Sequence, residues 1–214
     1  MIELKSISRG ETVRYLGGAG VKMNSSMESL LDSCESELLK TAVPKYLYKK
    51  ISVAQDGIFE GEDVRRHLSG CEYAYAVCVT LGAAVDRLIR SSQVSDMAKA
   101  VVIDAMASAA VENAAAQVDG LIADENAGKF LTWRFSPGYG DYPLSVQDRL
   151  LSILDAPRKI GLCVNSNSLL TPTKSVTAVL GVSQNPIPKG RRGCAVCNLA
   201  KDCKFRKAGT RCEF

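Results

Sequence analysis

Hydrophobic residues recur at spacings of three and four along the first part of the chain, and this period predicts helices. Residues 9–16 and residues 25–43 both carry it. Asn24 is a suitable N-cap for the second helix, and Pro44 is a suitable stop, because proline disfavours helical backbone in the residue before it. We therefore predict two helices ahead of the first strand.

Other segments are rich in β-branched and aromatic residues or alternate apolar with polar positions, and these patterns predict strands. Each segment is short and lies near Gly, Pro or Asn residues that favour turns. The predicted strands are KYLYKKISV (45–53), CEYAYAVCVTLG (71–82), KFLTWRF (129–135), KIGLCVNS (159–166) and KSVTAVLGVS (174–183).

Three further helical stretches lie between these strands. The segment at 83–123 is rich in Ala, and we predict two helices there with a break near Ser91 and Ser92. Shorter helices are predicted within residues 60–70 and 144–154. Helices thus outnumber strands and do not alternate with them regularly, which favours an α+β fold over a doubly wound one.

The amino-acid composition of the chain changes near its end. Pro186, Pro188 and Gly190 indicate a linker, and the residues after it are basic and rich in Cys. We expect one main domain at residues 1–185 and a tail at residues 186–214.

Composition excludes few classes of function. The chain has 214 residues, of which 46% are hydrophobic and 23% charged, and its net charge of +4 does not indicate nucleic-acid binding over the whole surface. There is no apolar run long enough for a membrane span, and the N-terminus lacks the apolar core of a signal peptide. We expect a cytoplasmic protein that binds neither membranes nor nucleic acids.

The tail carries the clearest metal-binding pattern. Its cysteines are spaced Cys194-x2-Cys197-x5-Cys203-x8-Cys212 among Lys and Arg residues. Two thiolates in a Cys-x2-Cys pair can bind one metal and two more complete a tetrahedral site, while nearby cations favour the thiolate form. Four thiolates can hold zinc as a structural knuckle or an iron–sulfur cluster as an electron carrier, and the spacing leaves both open. A basic tail with incidental cysteines is the third possibility.

The segment WRFSPGYGDYP (133–143) is the best candidate for binding a small molecule. Pro fixes the backbone and Gly permits turns, so the segment is built as a stiff loop. Arg134 can bind a carboxylate through two hydrogen bonds, and Tyr139 offers a flat ring and a hydroxyl. A structural turn with Arg134 on the surface is the competing interpretation. The single histidine, His67, is expected to be a packed or capping residue.

The motif RFSPGY (134–139) resembles the R-x-A-P-G-Y motif of the activation domain of cobalamin-dependent methionine synthase. KIGLCVNSNSLLTPTKSVTAVLGV (159–182) resembles that domain's IG-x-x-L-T-x-S-x-M-x-P-x-x-S-V-S-G stretch. ETVRYLGGAG, GEDVRRHLSGC and VCVTLGAAVDRLIR are similar to the short, stand-alone members of the family. The resemblance implies an α+β fold in which a bent antiparallel sheet is flanked by helices.

The resemblance also implies a function in methionine biosynthesis. In the family, an electron donor reduces inert Co(II) cobalamin, and a methyl group from S-adenosylmethionine traps the Co(I) product. The family's ligand contacts correspond here to Arg134, Ser136, Pro137, Gly138 and Tyr139. The chain departs from the family at Gly128, where an acidic residue is usual, and at Leu180, where a Tyr is usual.

The chain lacks the D-x-H-x-x-G motif with which corrinoid carriers supply a His to cobalt. The resemblance therefore implies an accessory component of a methyltransferase, which acts on the cobalamin-binding module of a separate methionine synthase or other corrinoid protein. A non-enzymatic module that binds the cobalamin protein and has a structural zinc knuckle is the alternative. Nucleic-acid binding through the basic tail is a further one, disfavoured because aromatic residues are scarce there.

Overall fold

A four-stranded antiparallel sheet lies between two layers of helices in the computed structural model, which describes residues 2–17, 24–55, 57–187 and 207. The helices are α1 (Arg9–Tyr15), α2 (Ser25–Thr41), α3 (Glu62–His67), α4 (Ala83–Ser95), α5 (Met97–Glu125), α6 (Val146–Leu154) and α7 (Ala156–Ile160). The strands are β1 (Lys45–Ile51), β2 (Tyr73–Thr80), β3 (Phe130–Leu131), β4 (Cys163–Val164), β5 (Leu170–Thr171) and β6 (Ser175–Ser183). The large sheet has the order β1-β2-β6-β3, and β4 and β5 form a separate hairpin. The predicted α+β class with an antiparallel sheet between helices is confirmed.

Both faces of the large sheet are covered. On β2, Tyr75, Val77 and Val79 pack into a cluster with α5, whereas alternate residues such as Ala76 and Cys78 pack into a second cluster with α6. Successive side chains of a strand point to opposite faces, so a strand between two helical layers is buried along almost its whole length. This explains why β2 is apolar at nearly every position rather than at every second one.

The helix α5 is the longest element, with 29 residues, and its small side chains allow close packing against the sheet. The predicted break near Ser91 and Ser92 was wrong, because α4 continues through both residues. The break is at Asp96, which has an extended backbone and accepts a hydrogen bond from the amide of Lys99 at 3.0 Å. Asp96 therefore ends one helix and caps the next.

Two predicted strands are shorter in the structure. KFLTWRF contributes a regular strand only at β3, and KIGLCVNS only at β4. Residues 159 and 160 belong to α7 instead, which ends at Gly161 in a left-handed conformation. Of the cysteines outside the tail, Cys34 and Cys78 are buried, Cys71 is partly buried and Cys163 is exposed.

The start of β6 is held against α4 by a buried carboxylate. Asp86 of α4 accepts hydrogen bonds from the backbone amide of Thr173 at 2.8 Å and from its hydroxyl at 2.7 Å. Lys174 pairs with Asp104 of α5 at 2.8 Å. These contacts fix the TPTK segment, which belongs to the stretch that resembles the activation domain.

The predicted division into a domain at 1–185 and a tail at 186–214 stays a prediction, because almost all of the tail lies outside the described residues. Within the described residues, none of the helices combines the length and the hydropathy needed to cross a membrane.

Candidate ligand-binding site

The segment that follows β3 runs along the edge strand β6 with one extra residue. Leu131 pairs with Val182, and Phe135 pairs with Val179 through two hydrogen bonds of 2.9 Å. Residues 132, 133 and 134 thus lie opposite residues 180 and 181, three against two, which is a β-bulge. After the bulge, each side chain points to the opposite face of the sheet from the one that it would face in a regular strand.

Neighbouring side chains of a strand face different layers, and the bulge decides which of them face α5 and which face α6. Phe135 lies opposite Val179 and packs into the cluster on the α6 side. Arg134 points to the other side, toward α5, where it meets two acidic side chains. The bulge therefore places a charged group on one face of the sheet edge and aromatic rings on the other.

Arg134 is held between two carboxylates of α5. Its Nη2 donates to Glu112 at 2.8 Å and its Nη1 to Asp119 at 2.5 Å. The Arg134 side chain is 17% exposed, whereas Glu112 is 47% exposed, so the pair lies at the surface with its acidic partner outermost. Guanidinium and carboxylate together offer both signs of charge, which suits a zwitterion such as an α-amino acid.

Sequence reasoning missed Glu112 and Asp119. Both lie on α5 with a spacing of seven, which is two helical turns, so they share one face of that helix. This spacing was the available signal. The bulge turns Arg134 toward these two carboxylates, and the position of the bulge could not be predicted from the sequence.

The C-terminal end of α1 lies close to Glu112, one of the two carboxylates that hold Arg134. Burial raises the pKa of Tyr15, and the negative charge of Glu112 raises it further. The guanidinium of Arg14 lies over the Tyr15 ring, 4.3 Å from its centroid. The Tyr15 ring thus borders the site from a helix that the motif does not include.

The remaining predicted site residues form the turn after Arg134. The amide of Tyr139 donates to the carbonyl of Ser136 at 3.2 Å, and the amide of Gly138 donates to the carbonyl of Tyr142 at 2.7 Å. Pro137 is buried, Ser136 is half-buried, and Tyr139 is 65% exposed. Arg134, Ser136, Pro137, Gly138 and Tyr139 thus belong to one continuous bulge and turn, with the Tyr139 ring free of the core.

The two positions that depart from the family motif lie near this segment. Gly128 has a left-handed backbone, with φ of 84°, in the turn between α5 and β3. Leu180 lies opposite the bulge on β6, and its side chain is buried in the cluster on the α5 side. The acidic groups beside Arg134 come from α5 instead of from position 128.

His67 is packed, as expected. Its ring lies 4.7 Å from the Trp133 ring and 4.9 Å from the Phe135 ring, centroid to centroid. Its Nε2 lies 2.9 Å from the carbonyl oxygen of Trp133. The single histidine thus touches the residues on either side of Arg134, from the opposite face of the segment.

The predicted metal ligands Cys194, Cys197, Cys203 and Cys212 lie outside the described residues, so the metal site stays a prediction. The described part of the chain contains no group of three or more His, Cys, Asp or Glu residues placed to bind a metal ion.

No protein-family model matches the chain, and no curated protein matches it. Its elements nevertheless have the arrangement of an activation domain. A crystal structure of the MetH reactivation domain bound to AdoHcy matches 86% of this chain and 67% of that one, with a TM-score of 0.56 and 16% sequence identity. At this identity the likeness establishes the fold: the chain has the fold of the MetH reactivation domain.

Proposed function

We propose that the protein reactivates the cobalamin of a separate corrinoid-dependent methionine synthase, with S-adenosylmethionine as the methyl donor. The fold supports this proposal, because the matching reactivation domain is bound to AdoHcy, the demethylated form of that donor. An external donor supplies one electron to Co(II), which becomes Co(I). Co(I) then takes the methyl group from the sulfonium of the donor, and AdoHcy leaves.

The observation that carries the proposal is the position of Arg134 between Glu112 and Asp119. The carboxylate of the ligand's amino-acid portion binds the Nη2 side of Arg134, and its ammonium group binds Glu112. The ligand then separates one existing ion pair and forms two new ones, so that no charge is left unpaired. Asp119 keeps its hydrogen bond to Nη1 and holds the guanidinium in place during the exchange.

The turn supplies the other contacts. Gly138 and its neighbours allow the ligand to approach the backbone closely, since glycine has no side chain to block it. The exposed ring of Tyr139 covers the ligand from the solvent side. Burial of the ligand between this ring and α5 excludes water from the sulfonium.

The four tail cysteines would hold a zinc ion or an iron–sulfur cluster. A cluster would supply one-electron transfer close to the partner's cobalt, whereas zinc would be structural. The remaining partner is the cobalamin-binding module of the separate protein.

The test measures two quantities, AdoHcy binding by calorimetry and transfer of a labelled methyl group to inactive synthase in the presence of reductant. Arg134→Ala should abolish both. Arg158→Ala is the matched control, because Arg158 also pairs with an Asp, Asp155, but lies on α7. Wild-type protein that binds no AdoHcy and transfers no methyl group would refute the proposal.

The second candidate is a non-enzymatic module that binds the cobalamin protein and carries a structural zinc knuckle. Both ends of the Arg134 guanidinium already bind protein carboxylates, and this arrangement also serves to fasten the sheet edge to α5. In that case the protein binds its partner, but AdoHcy does not displace Glu112.

A further inference from the structure

We propose that α3 is a brace that holds both ends of the segment 133–141 and thereby positions Arg134 and Tyr139. The inference rests on the proposed function, because these two residues are the ligand contacts of that proposal. The brace consists of Asp141, which binds the N-terminus of α3, and His67, which binds Trp133 from its other end. Asp141 and His67 are positioning residues, and neither contacts the ligand.

The N-terminal attachment is a helix cap supplied by another segment. Gly61 occupies the N-cap position of α3 and has no side chain to accept a hydrogen bond. The Asp141 carboxylate replaces it by accepting from the amides of Glu62 at 2.6 Å and Asp63 at 3.0 Å. In return, the Asp63 carboxylate accepts from the amide of Asp141 at 3.3 Å. Helix and turn thus satisfy one another's backbone amides.

Two glycines make this close approach possible. A Cβ atom at Gly61 would lie 2.5 Å from Oδ1 of Asp141, and a Cβ atom at Gly140 would collide with the Asp63 carboxylate. Both residues also have positive φ, 112° at Gly61 and 55° at Gly140. Side chains at these positions would push the turn away from the helix.

The C-terminal attachment is the hydrogen bond from His67. The Trp133 carbonyl can only accept, so Nε2 of His67 carries the proton and donates at 2.9 Å. The imidazole is also packed between the Trp133 and Phe135 rings. These contacts fix the backbone on both sides of Arg134 without touching its guanidinium, which points to the other face.

The brace is itself anchored in the core. Val64 is fully buried and Leu68 is 6% exposed, and both pack into the cluster on the α6 side. Helical residues rise about 1.5 Å each, so this six-residue helix is about 9 Å long, and its two ends hold two separate points of the segment. A misplacement of about 1 Å in a binding segment can cost about 100-fold in function.

The test uses Trp133, the only Trp of the chain, as a local reporter. Quenching of its fluorescence by acrylamide, the Kd for AdoHcy and the thermal midpoint are measured for the wild type and for Asp141→Ala, Asp141→Asn and His67→Ala. Asp96→Ala is the control, because it removes a helix cap about 24 Å along α5 from Glu112.

We expect Asp141→Ala and His67→Ala to increase quenching and to weaken AdoHcy binding about tenfold. Asp141→Asn should recover part of the loss, since one acceptor oxygen remains. Asp96→Ala should lower the thermal midpoint with unchanged quenching and Kd. The proposal is overturned if Asp141→Ala lowers the midpoint but leaves the Kd and the quenching at wild-type values.

The same measurements distinguish a wrong brace from a wrong proposed function. If the wild type binds no AdoHcy, the proposed function is wrong, and quenching alone then decides on the brace. Increased quenching in both Asp141→Ala and His67→Ala would support a braced segment that serves another ligand or a partner. Unchanged quenching would overturn the brace as well.

Discussion

Arg134 and Glu112 form an ion pair of 2.8 Å between the sheet edge and α5, and the acidic member is the more exposed of the two. Asp119 holds the same guanidinium from the inner side. This asymmetry allows one carboxylate to exchange partners while the other keeps the Arg in position.

Glu112→Gln tests this exchange. We expect the free energy of unfolding to change by less than about 1 kcal/mol, because exposed ion pairs contribute little. AdoHcy binding should weaken about 10- to 100-fold, since a hydrogen bond to a charged group is worth about 1.5–3 kcal/mol. Calorimetry measures the Kd, and denaturant titration measures the stability.

Asp104→Asn is the control for this substitution, because Asp104 also lies on α5 and pairs with a basic residue, Lys174. Its Kd should equal that of the wild type. Equal Kd values for Glu112→Gln and the wild type would mean that Glu112 does not bind the ligand, and would favour a purely structural Arg134.

Asp141→Asn should make the stability of the protein less dependent on pH. Backbone hydrogen bonds from Asp63 and Glu62 hold the pKa of Asp141 below its ordinary value. A carboxyl whose folded pKa is lowered stabilises the fold above its unfolded pKa, and this stabilisation is lost as the pH falls through the folded pKa. The wild type should therefore be the more stable protein at pH 7, and the difference should shrink as the pH falls below about 4.

Thermal midpoints of both proteins between pH 7 and pH 3 measure this difference. Asp155, whose pKa is also lowered, titrates in both proteins and cancels in the comparison. A difference that stays constant over the whole range would show that the charge of Asp141 is not what holds α3.

Tyr142→Phe should leave the stability unchanged or increase it by about 1 kcal/mol. The Tyr142 side chain is 1% exposed, and its hydroxyl has no hydrogen-bond partner among the described residues. Burial also raises the pKa of this phenol. A buried hydroxyl without a partner carries a desolvation cost that Phe removes.

Tyr73→Phe is the matched comparison, because the Tyr73 hydroxyl donates to Asn126 at 2.6 Å. It should cost about 1 kcal/mol in the same denaturant titration. A larger loss for Tyr142→Phe than for Tyr73→Phe would contradict the assignment of an unpartnered hydroxyl.

The metal content of anaerobically purified protein tests the tail. Iron with broad visible absorbance, lost in Cys197→Ser, is the result expected for an electron carrier. Stoichiometric zinc without colour would instead identify a structural knuckle. Cys163→Ser is the control, since Cys163 is exposed but lies outside the tail, and it should leave the metal content unchanged.

Much of the fold followed from local patterns. The helices near residues 9–16 and 25–43 and the strands β1, β2 and β6 lie where periodicity predicts them, because their side chains are sorted by burial. The break between α4 and α5 was misplaced, because Ser91 hydrogen-bonds back to the carbonyl of Leu88 within the helix. Hydroxyls that bond in this way remain compatible with a continuous helix.

Only part of the candidate site could be predicted from the sequence. The motif indicated Arg134 and the turn, since its Gly and Pro residues carry a local backbone signal. Glu112 and Asp141 were missed because their roles depend on contacts between segments far apart in the chain. A carboxylate that caps a distant helix has no local signature.

The bulge beside β6 decides which side chains of the segment after β3 face α5 and which face α6. If the segment after Leu131 continued in a regular ladder without the bulge, Arg134 would lie opposite Val179, and its charge would face the apolar layer that now receives Phe135. A substitution in this segment alters one contact at a time, whereas a shift of its pairing register with β6 by one residue exchanges the two sides of the sheet edge. The bulge, more than any single residue between Leu131 and Phe135, therefore determines that the charged side chain meets α5 and the aromatic ring meets α6.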